Sequence, residues 1–446
     1  MFSTGKKIFR DIFKVLLASS EPGCKSSPTV AINTLPWSRH EIVQLKDGVG
    51  IAEGSGTLVP VKPLGISYAG PRVTVEQVSS GVFVLQNDLL RVIVEKGVIT
   101  SLFDRKNGRE VIEKGKKANQ FLIFDDKPLY WQAWDVEVYH LDTGKVLSCG
   151  DTEISEDRPH LCSVVTKIKI SDKSWLKSTI SLGAAIGGTK SFVECRADVD
   201  WHETMKFLKV EFPVEVRNTE ASYETAFGVT RRPTHYNTTW DMAKFEVCCH
   251  RWADLSEPAY GVSVLNDSKY GFSTCGNLMR LSLLRSPKAP DAHADMGTHT
   301  IRWAIFPHKG TVGPATVRTA YEFNNPMQTC SYSPDKAVVD SLSWIPVALT
   351  GDESLVLDTI KRGEDDEDVS RGDLPVRKGR SIVLRIYEAL GSRSRGVIET
   401  ASSLKVKKVF KSNILEDDCE ELDLEKNGTF AVELRPFEVA TYRLEL

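Results

Sequence analysis

Residues 223–308 read YETAFGVTRRPTHYNTTWDMAKFEVCCHRWADLSEPAYGVSVLNDSKYGFSTCGNLMRLSLLRSPKAPDAHADMGTHTIRWAIFPH. Short apolar-rich runs, among them Val262–Leu265 and Tyr270–Thr274, are separated by turn residues such as Asn266–Lys269. Runs of this length bounded by Asn, Asp and Ser are typical of strands, and these two predict a β-hairpin. The stretch is also rich in aromatic, Arg, His and Asp side chains, which stack on sugars and hydrogen-bond to them. It therefore predicts a β-structure with a sugar-contacting surface.

The strand pattern continues on both sides of this stretch. Roughly fifteen strands with few helical patterns predict an all-β protein built from large antiparallel sandwiches. A Gly- and Pro-rich boundary between His308 and about Ser341 separates a second, smaller β-domain. The predicted strands outside the quoted stretch include Gly81–Leu85, Leu89–Glu95, Val98–Phe103, Leu161–Ser171, Trp175–Leu182, Phe192–Asp200, Phe207–Phe212, Ser381–Tyr387, Phe430–Leu434 and Ala440–Leu446.

The N-terminal segment has a different pattern. Apolar residues recur at helical spacing between Lys6 and Ala18, and the run stops at Glu21-Pro22-Gly23. One amphipathic helix is therefore predicted. Two interpretations are open: a helix that packs on neighbouring structure, and a transit peptide, which the excess of basic residues favours. A secretory signal is disfavoured, because Asp11 and Lys14 interrupt its apolar region.

Charge and cysteine usage limit the classes of partner. The formal net charge of the 446 residues is −3, which gives no electrostatic reason to expect a nucleic acid or an acidic membrane. No run approaches the roughly 18 apolar residues that cross a bilayer. The nine cysteines lack CxxC and Cys/His spacing, which argues against a disulfide framework and favours a reducing compartment. The acidic run Glu364–Asp368 lacks EF-hand spacing, so a solvated loop is predicted there.

Two segments carry side chains suited to ligand binding. In Asp291–His299, an extended backbone would place both aspartates and His293 on one side, which suits a metal site or a ligand-facing loop; a charged loop between strands is the alternative. In Tyr130–Asp135, two tryptophans beside carboxylates suit a pyranose, although core aromatics at a strand edge give the same pattern. The segment Arg231–Tyr236 fits ligand contact or interdomain packing equally well. No GxSxG, GxGxxG, P-loop or HExxH motif is present.

Several longer motifs resemble one enzyme family. The sequences YETAFGVTRRPTHYNTTWDMAKFEVCCHRWADLS at residues 223–256 and MRLSLLRSPKAPDAHADMG at residues 279–297 are similar to those of glycoside hydrolase family 38. The branch that they resemble is the cytosolic-type (class 2C) α-mannosidases. Supporting motifs are NTLPWSR at 33–39, ITSLFDRKNGREV at 99–111, FDDKPLYWQAWDVE at 124–137 and IVLRIYEALG at 382–391.

The resemblance implies a domain order. Family members carry an N-terminal α/β catalytic domain, a helical bundle and then β-sandwich domains, of which the larger is a galactose-mutarotase-like supersandwich. This chain resembles the β-sandwich part alone. We therefore expect a helical remnant at residues 1–27, a leading β segment at 28–80, the supersandwich at 81–310, a linker at 311–340 and a small C-terminal β-sandwich at 341–446.

The resemblance also implies where the chemistry resides. The family retains configuration and uses an Asp nucleophile with a zinc ion, whose Asp and His ligands lie in the upstream domains and include a His-His-Asp motif. That motif is absent from the 446 residues. Retention needs two carboxyl groups about 5–5.5 Å apart, and no such pair is identifiable in this sequence. We therefore expect no catalytic residue, metal ligand or bound cofactor in this chain, and no hydrolysis by it alone.

Some pocket residues of the family come from its β-portion. By their positions in the matching motifs, Arg285, Asp295, His299, Trp134 and Asp135 are expected at the substrate-facing rim. Three functions are open: the C-terminal part of an α-mannosidase acting on α-mannosides or oligomannosides, a non-catalytic carbohydrate-binding module, and an assembly partner of a full-length mannosidase. The branch resemblance, the missing secretory signal and the cysteine usage predict a cytoplasmic protein. The net charge and the lack of a long apolar run predict no nucleic-acid or membrane partner.

Overall fold

β-Strands make up nearly all of the regular structure, so the predicted all-β class is confirmed. In this computed structural model, residues 29–45, 48–64, 70–188, 190–331, 344–373 and 375–446 are described. The helix predicted between Lys6 and Ala18 lies outside the described residues. No helix in the described ranges is long and apolar enough to span a bilayer.

The strands of the first half are β1 Thr29–Ile32, β2 Arg39–Leu45, β3 Gly48–Gly54, β4 Leu58–Pro63, β5 Thr74–Ser79, β6 Val82–Gln86, β7 Leu90–Glu95, β8 Val98–Asp104, β9 Arg109–Glu110, β10 Gln120–Asp125, β11 Lys145–Val146, β12 Cys149–Arg158, β13 Leu161–Lys169, β14 Trp175–Gly183, β15 Val193–Trp201, β16 Lys206–Pro213 and β17 Glu220–Thr225.

Those of the second half are β18 Gly228–Pro233, β19 Val247–Cys248, β20 Trp252–Glu257, β21 Tyr260–Asn266, β22 Gly271–Cys275, β23 Leu278–Arg285, β24 Gly297–Lys309, β25 Gln328–Ser331, β26 Val347–Gly351, β27 Leu355–Arg362, β28 Ser381–Glu388, β29 Ser394–Thr400, β30 Lys408–Ser412, β31 Asp418–Leu422, β32 Thr429–Leu434 and β33 Val439–Glu445. The α-helices of the described residues are α1 Thr239–Met242 and α2 Pro314–Asn324.

Residues 70–324 form one compact unit with three antiparallel sheets. The largest has the strand order β12-β13-β14-β15-β24-β21-β20-β17-β18, the second has β11-β10-β16-β23-β22-β19, and the third runs from β5 to β9 in sequence order. Alternate residues of β14 and β15 are buried, as the period of two requires when one face of a sheet meets a core. The core includes Trp201 and Trp303, whose indole N–H groups donate to Ser286 Oγ (3.1 Å) and Asn119 Oδ1 (3.1 Å).

The turn at Asn266–Lys269 connects two different sheets, so the predicted hairpin is wrong. Strand β21 is buried along its whole length and lies between β20 and β24 in the nine-stranded sheet, which leaves it no edge for β22. Strand β22 instead pairs with β19 and β23 in the six-stranded sheet. Turn residues and strand patterns do not specify which edge a strand joins, and both edges of β21 are taken by β20 and β24.

Helix α2 lies within residues 311–340, where the sequence predicted a linker. Pro314 occupies its first turn, a position at which helices accept proline because no N–H is needed there. Val317, Ala320 and Tyr321, at helical spacing, are buried against the nine-stranded sheet. Of the residues that suggested an interrupted segment, Gly313 and Pro314 lie where the helix begins, and Asn325 and Pro326 follow its end.

The second unit combines described residues before 65 with those after 324. One of its sheets has the order β2-β3-β4-β1-β25, in which β1 pairs with β4 on one side and with β25 on the other. Two further sheets, β26-β29-β32 and β27-β28-β33-β30-β31, enclose a core that contains Ile386, Phe430 and Tyr442. The stretch predicted as a single leading segment, 28–80, is thus divided, because β5 belongs to the sheets of residues 70–324.

The three aspartates of the acidic run Glu364–Asp368 are paired with arginines. Asp366 is 1% exposed and accepts hydrogen bonds from Ser381 N (2.8 Å) and Arg362 Nη2 (2.9 Å). Asp365 and Asp368 pair with Arg377 (2.7 Å) and Arg362 (2.6 Å) respectively. Glu364, Glu367 and Asp368 are exposed in a turn, as the predicted solvated loop requires, whereas Asp366 departs from it because the fold brings Ser381 and Arg362 to its buried carboxylate.

Candidate functional site

A pocket of about 440 Å³ opens near the ends of β16 and β23 in the six-stranded sheet. Its walls come from those two strands, from the loop after β10, from the turn between β21 and β22, and from the loop after β23. All of these elements belong to the unit of residues 70–324. The lining residues are Ala133, Val136, Phe207, Glu246, Lys269, Tyr270, Gly271, Ser282, Leu283, Leu284, Arg285, Pro287, Ala294 and Asp295.

Arg285, the last residue of β23, fastens the loop after β10 to the pocket wall. Its Nε donates to Asp126 Oδ2 (2.8 Å) and its Nη2 to Asp126 Oδ1 (3.1 Å), a bidentate pair whose carboxylate is 2% exposed. Nη2 also reaches the carbonyl oxygens of Gln132 (3.0 Å) and Asp135 (2.6 Å). Nη1 has no hydrogen-bond partner among the described residues, so it keeps two N–H donors for a ligand.

The loop held by Arg285 presents two indoles to solvent. Trp131 and Trp134 are 70% and 67% exposed, and their rings meet edge to face with centroids 6.0 Å apart. The backbone N–H groups of Trp134 (2.8 Å) and Asp135 (2.9 Å) donate to the carbonyl of Trp131, which closes a tight turn. Exposed indoles in a fixed turn suit stacking on the C–H face of a sugar. Asp135 contributes its carbonyl to Arg285, while its side chain is exposed.

Asp295 lines the pocket, whereas His299 is not among its lining residues. Residues 292–295 form a turn, and Asp295 has a left-handed backbone with φ of 60°. His299 Nε2 donates to the Asp295 carbonyl (2.6 Å), which ties the turn to β24. The Asp295 side chain is exposed and lines the pocket, whereas the His299 imidazole stabilises the loop through its hydrogen bond.

The backbone of residues 291–295 bears on the metal interpretation. An extended segment would have aligned Asp291, His293 and Asp295, and the turn prevents this alignment. Within the described ranges, no group of three or more His, Cys, Asp or Glu side chains converges closely enough to hold a metal. These residues therefore do not provide the donor set that zinc requires.

A buried ion pair at the edge of the pocket was not predicted from the sequence. Lys209 on β16 is 0% exposed, and its Nζ donates to Glu246 Oε2 (2.6 Å) while lying 4.3 Å from the ring centroid of Phe207. Ser282 Oγ donates to the other oxygen of Glu246. Burial lowers the pKa of Lys209, and the charge and hydrogen bond of Glu246 oppose that shift. The available signal was a lysine among the apolar residues of a central strand.

Lys269 was also missed by sequence reasoning. It is the last residue of the turn that connects the two sheets. Its side chain is half-buried and lines the pocket. Burial lowers the pKa of its ammonium group, while the charges of Asp295 and Asp267 oppose the shift. By contrast, the predicted candidate segment Arg231–Tyr236 contributes no residue to the lining of this pocket.

Two segments of the chain match two domains of one enzyme family, in the order expected. Residues 85–293 match the family described as Glycosyl hydrolases family 38 C-terminal domain, and residues 354–442 match Glycosyl hydrolases family 38 C-terminal beta sandwich domain. The chain belongs to glycoside hydrolase family 38. The first of these matches contains Arg285, Trp134 and Lys269, so most of the pocket lies within the family 38 C-terminal domain.

Curated relatives agree with this family. Alpha-mannosidase of Saccharomyces cerevisiae is 48% identical over 381 residues, which cover 81% of this chain and 34% of that protein. Alpha-mannosidase 2C1 of Homo sapiens is 38% identical over 447 residues, which cover 96% of this chain and 41% of that protein. The predicted resemblance to class 2C α-mannosidases is confirmed, and this family 38 chain spans less than half the length of either relative.

Solved structures agree on the fold. The crystal structure of an alpha-mannosidase from Enterococcus faecalis V583 matches with a TM-score of 0.69 over 99% of this chain and 58% of that one. The sequences are 12% identical, so this likeness shows a shared fold and does not assign residue roles.

Proposed function

We propose that this family 38 chain is the C-terminal β-portion of an α-mannosidase and that its pocket forms the rim of an α-mannoside site. The observation that supports the proposal is that two motifs distant in sequence contribute to one pocket. Arg285, Asp295, His299, Trp134 and Asp135 were expected at the rim from two separate motifs. Arg285 and Asp295 line the pocket, and so do Ala133 and Val136, which are the chain neighbours of Trp134 and Asp135. Convergence of distant motifs on one pocket is typical of a binding site.

The chemistry of the pocket suits a glycan. The exposed indoles of the adjoining loop offer stacking surface, the Nη1 group of Arg285 offers two donors, and the Asp295 carboxylate offers acceptors. These groups bind and orient a sugar. Bond cleavage with retention needs two carboxyl groups placed about 5–5.5 Å apart across the glycosidic bond. Of the carboxylates that line this pocket, Glu246 has both oxygens engaged by Lys209 and Ser282.

Hydrolysis is therefore assigned to groups that the described residues do not supply. Zinc, which the family uses to grip substrate hydroxyls, would be held elsewhere in a complete enzyme, because the donor set is not found in the described ranges. The role proposed for this chain is to shape the entrance and fix the orientation of the mannoside. We also propose a cytoplasmic location, since no disulfide joins the cysteines of the described residues.

Binding and hydrolysis of the purified chain test the proposal directly. We expect methyl α-mannopyranoside to give a saturation-transfer NMR signal with the chain, and a chromogenic α-mannoside to stay unhydrolysed with or without added zinc. Zinc-dependent turnover that survives removal of host mannosidase would contradict the proposal that this chain binds the mannoside without hydrolysing it. Failure to bind any α-mannoside would contradict the proposal that the pocket forms the rim of a mannoside site.

A chimaera tests whether the chain serves a complete enzyme. In the Saccharomyces cerevisiae relative, the matching C-terminal part would be replaced by this chain. We expect the chimaera to hydrolyse α-mannosides and Arg285→Ala to raise its KM, because the rim loop then loses its anchor. The matched control is Arg196→Ala, which removes a surface arginine of β15. Equal kinetics for the two variants would remove Arg285 from the rim.

The exposed Trp131 and Trp134 favour a second candidate, a non-catalytic carbohydrate-binding module. Such a module binds sugar through aromatic platforms without assisting hydrolysis. The chimaera separates the two functions, because a module would keep its sugar binding in the isolated chain and leave the chimaera inactive.

A further inference from the structure

Lys269 occupies a fixed position at the pocket. The backbone N–H of Lys269 donates to Asn266 Oδ1 (2.8 Å), and that asparagine is itself 1% exposed and donates to the His250 carbonyl (2.7 Å). The turn is thereby locked on both sides before β22 begins. The side chain that leaves this turn enters the lining of the pocket.

The other cations around the pocket are already paired. Arg285 holds Asp126 through two hydrogen bonds, and Lys209 holds Glu246. The ammonium group of Lys269 differs, because it has no hydrogen-bond or ion-pair partner among the described residues. The Asp295 carboxylate likewise accepts no hydrogen bond in this part of the chain, although it lines the same pocket and its charge acts on Lys269.

This leaves one donor group and one acceptor group facing the same space without touching. The three charge pairs, Arg285 with Asp126, Lys209 with Glu246, and Lys269 with Asp295, leave the pocket without net charge. A neutral pocket gives no advantage to a phosphorylated or carboxylated ligand. A hydroxyl group suits these two groups chemically, since it accepts from an ammonium and donates to a carboxylate at the same time.

We propose that Lys269 and Asp295 form a hydroxyl-reading pair, in which one hydroxyl of a neutral sugar accepts from the Lys269 ammonium and donates to the Asp295 carboxylate. The inference rests on the proposed function, because it takes the pocket to be a mannoside site. It adds a specificity-determining pair to the rim and assigns the ligand class as neutral, unmodified sugars. A site built around such hydrogen bonds rejects an analogue that lacks the hydroxyl.

Substitutions in the whole 446-residue chain test the pair. Saturation-transfer NMR titrations with methyl α-mannopyranoside would compare the wild type with Lys269→Met, Asp295→Asn and the double variant. We expect each single variant to weaken binding by about tenfold or more, since each removes a hydrogen bond to a charged group. The double variant should lose little beyond either single variant, because both contact the same hydroxyl. Lys173→Met, an exposed lysine in the turn before β14, is the charge-matched control.

The ligand panel separates the inference from the proposed function. Binding of the α-mannoside that is unchanged in Lys269→Met and Asp295→Asn would overturn the pair and leave the mannoside rim standing. Pair-dependent binding of methyl α-glucoside or α-galactoside but not of the mannoside would keep the pair and overturn the mannoside assignment. Tighter binding of mannose 6-phosphate than of methyl α-mannopyranoside would overturn the neutral class. No binding of any sugar would overturn both.

Discussion

Most of the hydrogen bonds of Arg285 position the tryptophan loop beside the pocket. Four of its hydrogen bonds hold Asp126 and the carbonyls of the tryptophan loop, and its ring neighbour Phe207 lies 5.5 Å from the guanidinium carbon. Lysine could supply the charge but not the planar fork. The sequence placed Arg285 at the rim by its motif, and the structure adds that most of its donors position the loop.

We therefore expect Arg285→Met to destabilise the unit of residues 70–324 by about 1–3 kcal/mol, because the buried Asp126 carboxylate loses its partner. Urea unfolding followed by circular dichroism measures this loss. The double variant Arg285→Met with Asp126→Asn should recover part of it, since no buried charge then remains unpaired. A single variant as stable as the wild type would show that water replaces the arginine.

The residues found and missed by the sequence differ in kind. Trp134, Asp135 and Asp295 carry groups whose chemistry is visible from composition and motif. Lys209 and Lys269 matter because of what surrounds them: Lys209 is paired with Glu246, and Lys269 has no partner among the residues that the structure describes. Whether a lysine is paired depends on side chains that are distant in sequence, and local patterns hold no information about that.

At the scale of elements, the turn of residues 266–269 has the largest consequences. Sequence patterns predicted the strands β21 and β22 and the turn between them, but not the crossing from one sheet to the other. The side chain of Asn266 stabilises that crossing, because it donates to the His250 carbonyl and accepts from the backbone N–H groups of Ser268 and Lys269. An asparagine in a turn is ordinary, and only its burial reveals that it links two sheets.

Asn266→Ala is expected to lower the free energy of unfolding by about 1–3 kcal/mol, because buried backbone groups lose their hydrogen bonds. It should also weaken sugar binding, since Lys269 is then held less firmly at the pocket. Thermal unfolding and NMR titration measure the two effects. Asn237→Ala, in an exposed position of a similar sequence context, serves as control. Equal effects of the two substitutions would show that the crossing does not depend on Asn266.

The ion pairs of strand β31 predict a pH dependence. Burial alone would raise the pKa of Asp418, but hydrogen bonds and charge from Arg443, and then from Arg377, outweigh burial and hold it below its usual value. A carboxyl whose pKa is depressed by folding stabilises the folded state above its unfolded pKa of about 3.9, and this contribution is lost as pH falls through the lower folded value.

Arg443→Met should therefore destabilise the second unit at pH 7, and the difference from the wild type should shrink below about pH 4 as Asp418 becomes protonated. Urea unfolding at pH 7, 4 and 3 measures this trend. Arg435→Met, which breaks a pair of a 76% exposed arginine, should cost at most about 1 kcal/mol. A stability difference for Arg443→Met that does not change with pH would rule out the ion pair as its source.

At the scale of the whole molecule, the chain is divided differently from the expected sequence of consecutive domains. The family resemblance predicted the all-β class and the C-terminal part of the family, and both are confirmed. The grouping of residues before 65 with those after 324 was beyond prediction, because pairing of β1 with β25 depends on no local signal.

The division predicts which fragment folds. Residues 70–324 expressed alone should give a β-rich circular dichroism spectrum and one cooperative unfolding transition, because this unit has its own core. Residues 81–310, the boundaries expected from sequence, should be less stable, since they lack β5 and the buried face of α2. Equal stability of the two fragments would show that neither element contributes.

The pairing of β1 with β25 has a consequence for synthesis on the ribosome. Val30 lies opposite Cys330, so roughly 300 residues must be translated before β1 finds its outer neighbour. The intervening unit can complete its core during that time, since its strands pair among themselves. Until β25 emerges, β1 offers an unpaired edge to other nascent chains. Translation speed and chaperone supply should therefore affect the yield of this protein.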